Sequence, residues 1–316
     1  MDVYRHPDLY ERKPFTVATI GTFDGVHLGH QVILRRVIAL ARASGGTSLL
    51  ITFHPHPRQI LFPDRPPVAM LHTLEEKIAA LEALGLDQLL VLPFTRAFSE
   101  TPSEVFIREV LAGTVGVKRL VIGYDHRFGR GRSGGLDELR SFSAELGYEV
   151  EEIPAQTIDD AEISSTRIRQ ALNSGDPATA ARYLGYPYVL AGEVVHGEKQ
   201  GRLLGYPTAN IQPEDPHKLI PADGVYLCRA QVRGETLYGL MSIGRKPTLG
   251  DFERTCEIYL LDFSGDLYGA RLQAEFLEYL RPQRKFPSLE ALIEAMGQDK
   301  AYAQARVLAL RAQAAD

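Results

Sequence analysis

Apolar positions along the first half of the chain follow two alternating rhythms. Short runs rich in aliphatic and β-branched residues, Phe15–Ile20, Thr47–Phe53, Gln88–Phe94, Lys118–Gly123 and Tyr148–Ile153, have the length of buried strands. Between them Gln31–Ala43, Leu74–Leu84, Ser103–Ala112 and Leu136–Leu146 set apolar residues near i, i+3, i+4 and i+7, the spacing of a helix with one buried face. Strand and helix in alternation predict a parallel sheet covered by helices. Two short helices are expected next: Thr166–Asn173, opened by hydroxyl residues suited to capping, and Pro177–Leu184, with its proline in the first turn.

After Leu184-Gly-Tyr-Pro187 the rhythm changes. Tyr188–His196, Gly224–Val232, Leu237–Ile243, Thr255–Phe263 and Arg271–Tyr279 are β-rich runs split by Gly, Pro and Asp, with no helical pattern between them. Such strands pair antiparallel and close into a small sheet or barrel. The end, Ser288 to Gln313, is expected to be helical. The fold class is therefore α/β followed by β, with domains at 1–186 and 187–316.

Composition narrows the partners rather than the fold. The 316 residues are 45% hydrophobic and 24% charged, ordinary for a globular protein of two domains. No run approaches the roughly 20 apolar residues of a membrane helix, and the N-terminal stretch has no apolar signal core, so a cytoplasmic protein away from membranes is expected. The net charge of −5 argues against a nucleic-acid surface, and any anionic substrate must be held by local groups. Cys228 and Cys256 are expected to be reduced and semi-buried.

Two stretches carry candidate chemistry. Gly21-Thr-Phe23-Asp24-Gly25-Val-His27-Leu-Gly29-His30 follows the first strand and leads into a helix, where an open α/β sheet binds its ligand. The glycines admit close backbone approach, and the helix N-terminus adds about +0.5 of positive charge beside His27 and His30. Histidines aimed at phosphates stabilise charge growing on an α-phosphate as pyrophosphate leaves. No lysine stands in the segment, and neither a P-loop nor a Gly-x-Gly-x-x-Gly occurs in the chain. A purely structural helix start, or a partial metal site, is the alternative. Farther on, Ser164, Ser165, Thr166 and Arg167 offer hydroxyls, N–H groups and a guanidinium to the β- and γ-phosphates, unless they only cap a helix. Gly123-Tyr-Asp125-His126-Arg-Phe128-Gly129 forms a loop after the fourth strand. In the second half, Gly205-Tyr-Pro207-Thr208-Ala-Asn210 places two hard oxygen ligands two residues apart in a loop, suited to Mg²⁺ carrying nucleotide phosphates or equally to a turn bonded to its own backbone.

Together these segments resemble the prokaryotic bifunctional riboflavin kinase/FAD synthetases. Gly21-x-Phe-Asp-Gly-x-His-x-Gly-His30, Gly-x-Asp-x-x-Phe-Gly129 and Ile163-Ser-Ser-Thr-x-x-Ile-Arg are similar to the adenylyltransferase half, a Rossmann-like nucleotidyltransferase domain. Gly205-Tyr-Pro-Thr-Ala-Asn210, Pro221-x-x-Gly-Val-Tyr226, Ile243-Gly-x-x-Pro-Thr248 and the segment from Glu257 to Gly269 are similar to the kinase half. The resemblance implies that riboflavin and ATP give FMN, and that FMN and ATP give FAD plus pyrophosphate. It implies ATP binding by Gly21, Phe23, Asp24, Gly25, Gly29 and Ser164–Arg167, with His27 and His30 catalytic. Gly123, Asp125 and Phe128 would then face the flavin, Gly205, Pro207 and Thr208 the kinase substrates, Thr208 and Asn210 the Mg²⁺, and Glu257 would be the base. His126, Ser242 and Lys246 depart from the family pattern, which usually has Phe, Asn and Arg there. The alternative is an FAD synthetase whose barrel only binds flavin as a regulatory module.

Overall fold

The computed structural model describes residues 1–124, 127–158, 161–197, 201, 204–245 and 254–313. The chain divides into two compact units, Met1–Ser165 and Thr166–Asp316. The short helices before residue 187 thus group with the second unit.

In the first unit β1 (Asp2–Tyr4), β2 (Thr16–Ile20), β3 (Thr47–His54), β4 (Gln88–Pro93), β5 (Val117–Gly123) and β6 (Glu149–Ile153) form a sheet in the order β1-β4-β3-β2-β5-β6. Every pairing is parallel. The helices are α1 (Leu28–Ala43), α2 (Pro57–Leu61), α3 (Leu74–Ala83), α4 (Arg96–Ser99), α5 (Ser103–Val105, continued by a wider π-wound stretch Phe106–Val115) and α6 (Leu136–Leu146). A hairpin of β7 (Thr157–Ile158) and β8 (Ala161–Glu162) follows.

Both faces of the sheet are covered, which is why its strands look continuously apolar in sequence. Leu49, Ile51, Leu120 and Ile122 pack with Phe106, Ile107 and Leu111 of α5 on one face. Leu50, Leu89 and Val91 pack with Leu34 and Ile38 of α1 and Leu81 of α3 on the other. The chain steps outward from β2 to β3 and β4, then returns to place β5 on the opposite side of β2. The carboxyl ends of β2 and β5 flank the crevice where the lateral order reverses, the usual ligand position in such sheets. The turn after Ile20 and the segment after Gly123 both begin there.

The second unit opens with α7 (Ser165–Asn173) and α8 (Pro177–Leu184). Its strands are β9 (Tyr188–Val195), β10 (Ala209–Pro213), β11 (Gly224–Val232), β12 (Glu235–Gly244), β13 (Thr255–Leu260) and β14 (Arg271–Arg281). They close as a barrel in the order β10-β13-β12-β11-β14-β9, every pairing antiparallel. α9 (Leu289–Gln313) lays Ala303 and Val307 over Val225, Leu227, Leu240 and Leu261. Both cysteines are free thiols, and both are buried rather than semi-buried. Among the described residues no helix is long and apolar enough to cross a membrane.

Two candidate active sites

The first site is a turn wound against its own preferences. Between β2 and α1, Phe23 and Val26 have φ of 45° and 38°, and Gly25 has 85°. A β-branched residue in this region is an outlier, and each such position costs roughly 1–3 kcal/mol, sustained only where the surroundings over-determine it. Here they do. The Lys77 ammonium donates to the Thr22 carbonyl at 2.8 Å, and the Thr52 hydroxyl donates to it at 3.3 Å. The Asp24 carboxylate accepts backbone N–H groups from Leu71 at 3.0 Å and His72 at 3.1 Å, while Ser165 Oγ donates to the Asp24 carbonyl at 2.9 Å. Gln31 Nε2 closes on the Val26 carbonyl at 2.9 Å. The buried carboxylate of Asp24 therefore holds residues 71–72 against the turn.

That frame sets the histidines. His27 caps α1, its Nδ1 accepting the His30 N–H at 3.3 Å, so the His27 ring proton belongs on Nε2. The two rings stack with centroids 3.6 Å apart, and Phe23 lies 4.7 Å from His30 on the side of the turn. The His30 Nδ1 is buried and has no hydrogen-bond partner. Burial, and then the positive charges of His27, Lys77 and His72, push its pKa well below 6.5, so His30 is neutral at neutral pH. Burial also lowers Lys77 to about 8, with Asp24 pulling it back up. The turn, whose own segment has no lysine, is thus bonded by an ammonium from α3. Lys77 lies on a helix that is legible in the sequence, but the direction of its side chain is set by tertiary packing.

The remaining residues of this half are placed as follows. Gly29 lies in the first turn of α1, Ser164 is half-buried, and Thr166 and Arg167 are exposed at the start of α7. Gly123 ends β5, and the Phe128 ring is buried 5.8 Å from Phe106, as a wall of the core. Asp125 and His126 lie outside the described residues.

The second site stands on three neighbouring strands. Glu257 on β13 is paired with Asn210 on β10 and with Ser242 on β12, and directly opposed residues share a face. Asn210 is thus on a strand and not in the expected loop, and Thr208, two residues earlier, faces the same way. Thr208 Oγ1 donates to Glu257 Oε2 at 2.9 Å, and Thr255 Oγ1 donates to Oε1 at 3.1 Å. Gln283 Nε2 extends the polar row by donating to Ser242 Oγ at 2.6 Å. Thr208, Ser242, Glu257 and Gln283 line a cavity of about 140 Å³ whose lining also includes Leu292, Met296 and Asp299 of α9. Asp299 is fixed there by Arg281, 2.7 Å away. Gly205, at φ 82°, turns the chain toward Pro207 and Thr208. Lys246 lies outside the described residues. Thr255 and Gln283 carry no motif and went unnoticed in the sequence.

Comparison with known proteins also divides the chain in two. Residues 10–167 match the FAD synthetase family, and residues 184–307 match the riboflavin kinase family. Proteins named bifunctional riboflavin kinase/FMN adenylyltransferase are 37% identical over 285 residues in Listeria monocytogenes, covering 90% of each chain, and 39% identical over 290 residues in Pseudomonas fluorescens, covering 92% of each. The protein of that name from Escherichia coli is 35% identical over 285 residues. A Streptococcus pneumoniae structure titled a macrolide-efflux protein superposes with a TM-score of 0.84 at 28% identity, covering 96% of this chain and 98% of its own.

Proposed function

The chain belongs to the bifunctional riboflavin kinase/FMN adenylyltransferase family, and on that premise we propose how its two sites divide the work. It phosphorylates riboflavin with ATP to FMN, then adenylylates FMN with a second ATP to FAD and pyrophosphate. The observation that carries this reading is that each family match falls on a part of the chain with its own chemically equipped site: stacked histidines after β2, and a carboxylate between two hydroxyls on β13.

In the adenylyltransferase, a phosphate oxygen of FMN attacks the α-phosphorus of ATP, the bond to the β-phosphate oxygen breaks, and pyrophosphate leaves. Gly21–Gly25 presents backbone to the nucleotide, and α1 points its N-terminus at the phosphates. His27, with its proton on Nε2, and neutral His30 donate hydrogen bonds to charge that grows in the transition state. Ser164, Ser165, Thr166 and Arg167 bind the leaving pyrophosphate, while Gly123, Asp125 and Phe128 border the flavin. No covalent intermediate is needed.

In the kinase, Glu257 accepts the proton of the ribityl 5′-hydroxyl as that oxygen attacks the γ-phosphorus and ADP departs, general-base assistance of roughly 10²- to 10⁴-fold. Thr208 and Asn210 fit Mg²⁺: a hydroxyl and a carboxamide beside a carboxylate are hard oxygen donors, too few to cage an ion but sufficient for one already carrying phosphate oxygens and water. Bound there, the ion supplies charge neutralisation on the phosphates. Free, buried thiols agree with a cytoplasmic setting.

Riboflavin, FMN and FAD are separated chromatographically after incubation with MgATP. His30→Ala is expected to abolish FAD formation while riboflavin still becomes FMN, and Glu257→Gln to do the reverse when FMN is supplied. Wild-type protein that makes FAD from FMN but never phosphorylates riboflavin would leave the barrel a regulatory module.

A further inference from the structure

We propose that Thr255 is the positioning residue of the kinase half, and that its hydroxyl fixes the plane of the Glu257 carboxylate. The proposal rests on the assignment of Glu257 as the base. A glutamate side chain reaches its target through three torsions, and its last torsion is broad, so a carboxylate held at one oxygen still swings. Glu257 is held at both. Thr208 reaches Oε2 from the loop before β10, and Thr255 reaches Oε1 from two residues earlier on the same strand. Alternate residues of a strand share a face, so Thr255 and Glu257 move as one rigid piece of β13.

The two hydroxyls differ in what else they must do. Thr208 is the proposed partner of the metal–nucleotide, on a loop that also carries Gly205 and Pro207, whereas Thr255 is not among the residues lining the cavity and is paired opposite Gly244 of β12. Of the two donors, Thr255 belongs wholly to the scaffold. A carboxylate accepts at about four lone-pair positions, and a bond donated to each oxygen removes its rotational freedom.

The consequence is a split between turnover and binding. Thr255→Val keeps the β-branched shape and removes only the hydroxyl. Riboflavin phosphorylation should lose roughly 10- to 100-fold in kcat, the scale of misplacing a catalytic group, with KM for riboflavin and ATP changed less than about threefold. Thr255→Ser, which restores the donor, should recover most of kcat. Thermal unfolding of each variant is recorded beside the kinetics. An unchanged kcat in Thr255→Val overturns the proposal, as does a Thr255→Ser variant no faster than Thr255→Val, or a kcat loss matched by an equal rise in KM. Glu257→Gln in the same assay keeps the two claims apart. Its inactivity with a fully active Thr255→Val sinks the positioning role alone, whereas an active Glu257→Gln removes the base and this proposal together.

Discussion

Val26 and Phe23 show how much of the first site is decided by single residues acting at long range. Nothing in Gly21–Gly25 announces that Asp24 will bond to residues 71–72, or that a lysine on α3 will reach the Thr22 carbonyl. The chemistry-bearing residues were legible because they are contiguous; the supports from Thr52, residues 71–72 and Lys77 were not, because they come from 30 to 55 positions away. Lys77 gives a measurable signature of that support. In the unfolded chain its pKa returns to about 10.5, so between about pH 8 and pH 10.5 the unfolded state holds the extra proton, and native stability rises with pH across that window. Lys77→Met removes the titration. The stability difference, wild type minus variant, measured by urea unfolding of the first unit, should move in favour of wild type from pH 8 to pH 10 by about 1–3 kcal/mol. A pH-independent difference would mean that the ammonium stays solvated.

At the scale of elements, the long strands and helices of both halves follow their sequence rhythms closely, since β2–β6 and α1, α3 and α6 are periodic and bounded by caps or glycines. Four strands escaped, two of them the two-residue strands of the β7–β8 hairpin; the other two are the informative ones. β1 has only three residues, and β10, Ala-Asn-Ile-Gln-Pro, carries an Asn and a Pro; each exists because a neighbouring strand offers it hydrogen bonds. β10 matters most, because its pairing with β13 turns a sequence motif into a face shared with Glu257. The chain before it is equally constrained. A Cβ on Gly201 would lie 2.4 Å from the Tyr206 carbonyl and 3.2 Å from Thr208 Oγ1. Gly201→Ala must therefore displace the loop that carries Thr208. We expect KM for ATP in riboflavin phosphorylation to rise about tenfold, with FMN adenylylation unchanged; a kinase KM within twofold of wild type would show that the loop yields at no cost.

For the molecule as a whole, the two families meet between residues 167 and 184, and the intervening helices pack with the barrel. The Ala222 N–H donates to the Leu172 carbonyl, and Gly175 sits where a Cβ would come within 3.2 Å of the Tyr279 ring. A fragment beginning at Thr166 should consequently phosphorylate riboflavin and melt on the order of 10 °C above one beginning at Pro187, as loss of a few kcal/mol of packing implies for a domain of this size. Equal melting temperatures would make the helices a mere connector. The closed barrel also has an arithmetic consequence. β13 has a neighbour on each side; Glu257 and Tyr259, at odd positions, line the cavity and Thr255 shares their side of the strand, while Cys256 and Ile258 occupy even positions buried on the other face. A slip by one residue would exchange the two sets and drive a carboxylate into an apolar interior. With no open edge, that slip must break both hydrogen-bond ladders at once, so the location of the base is a matter of parity, guarded by the ring of strands rather than by any one bond.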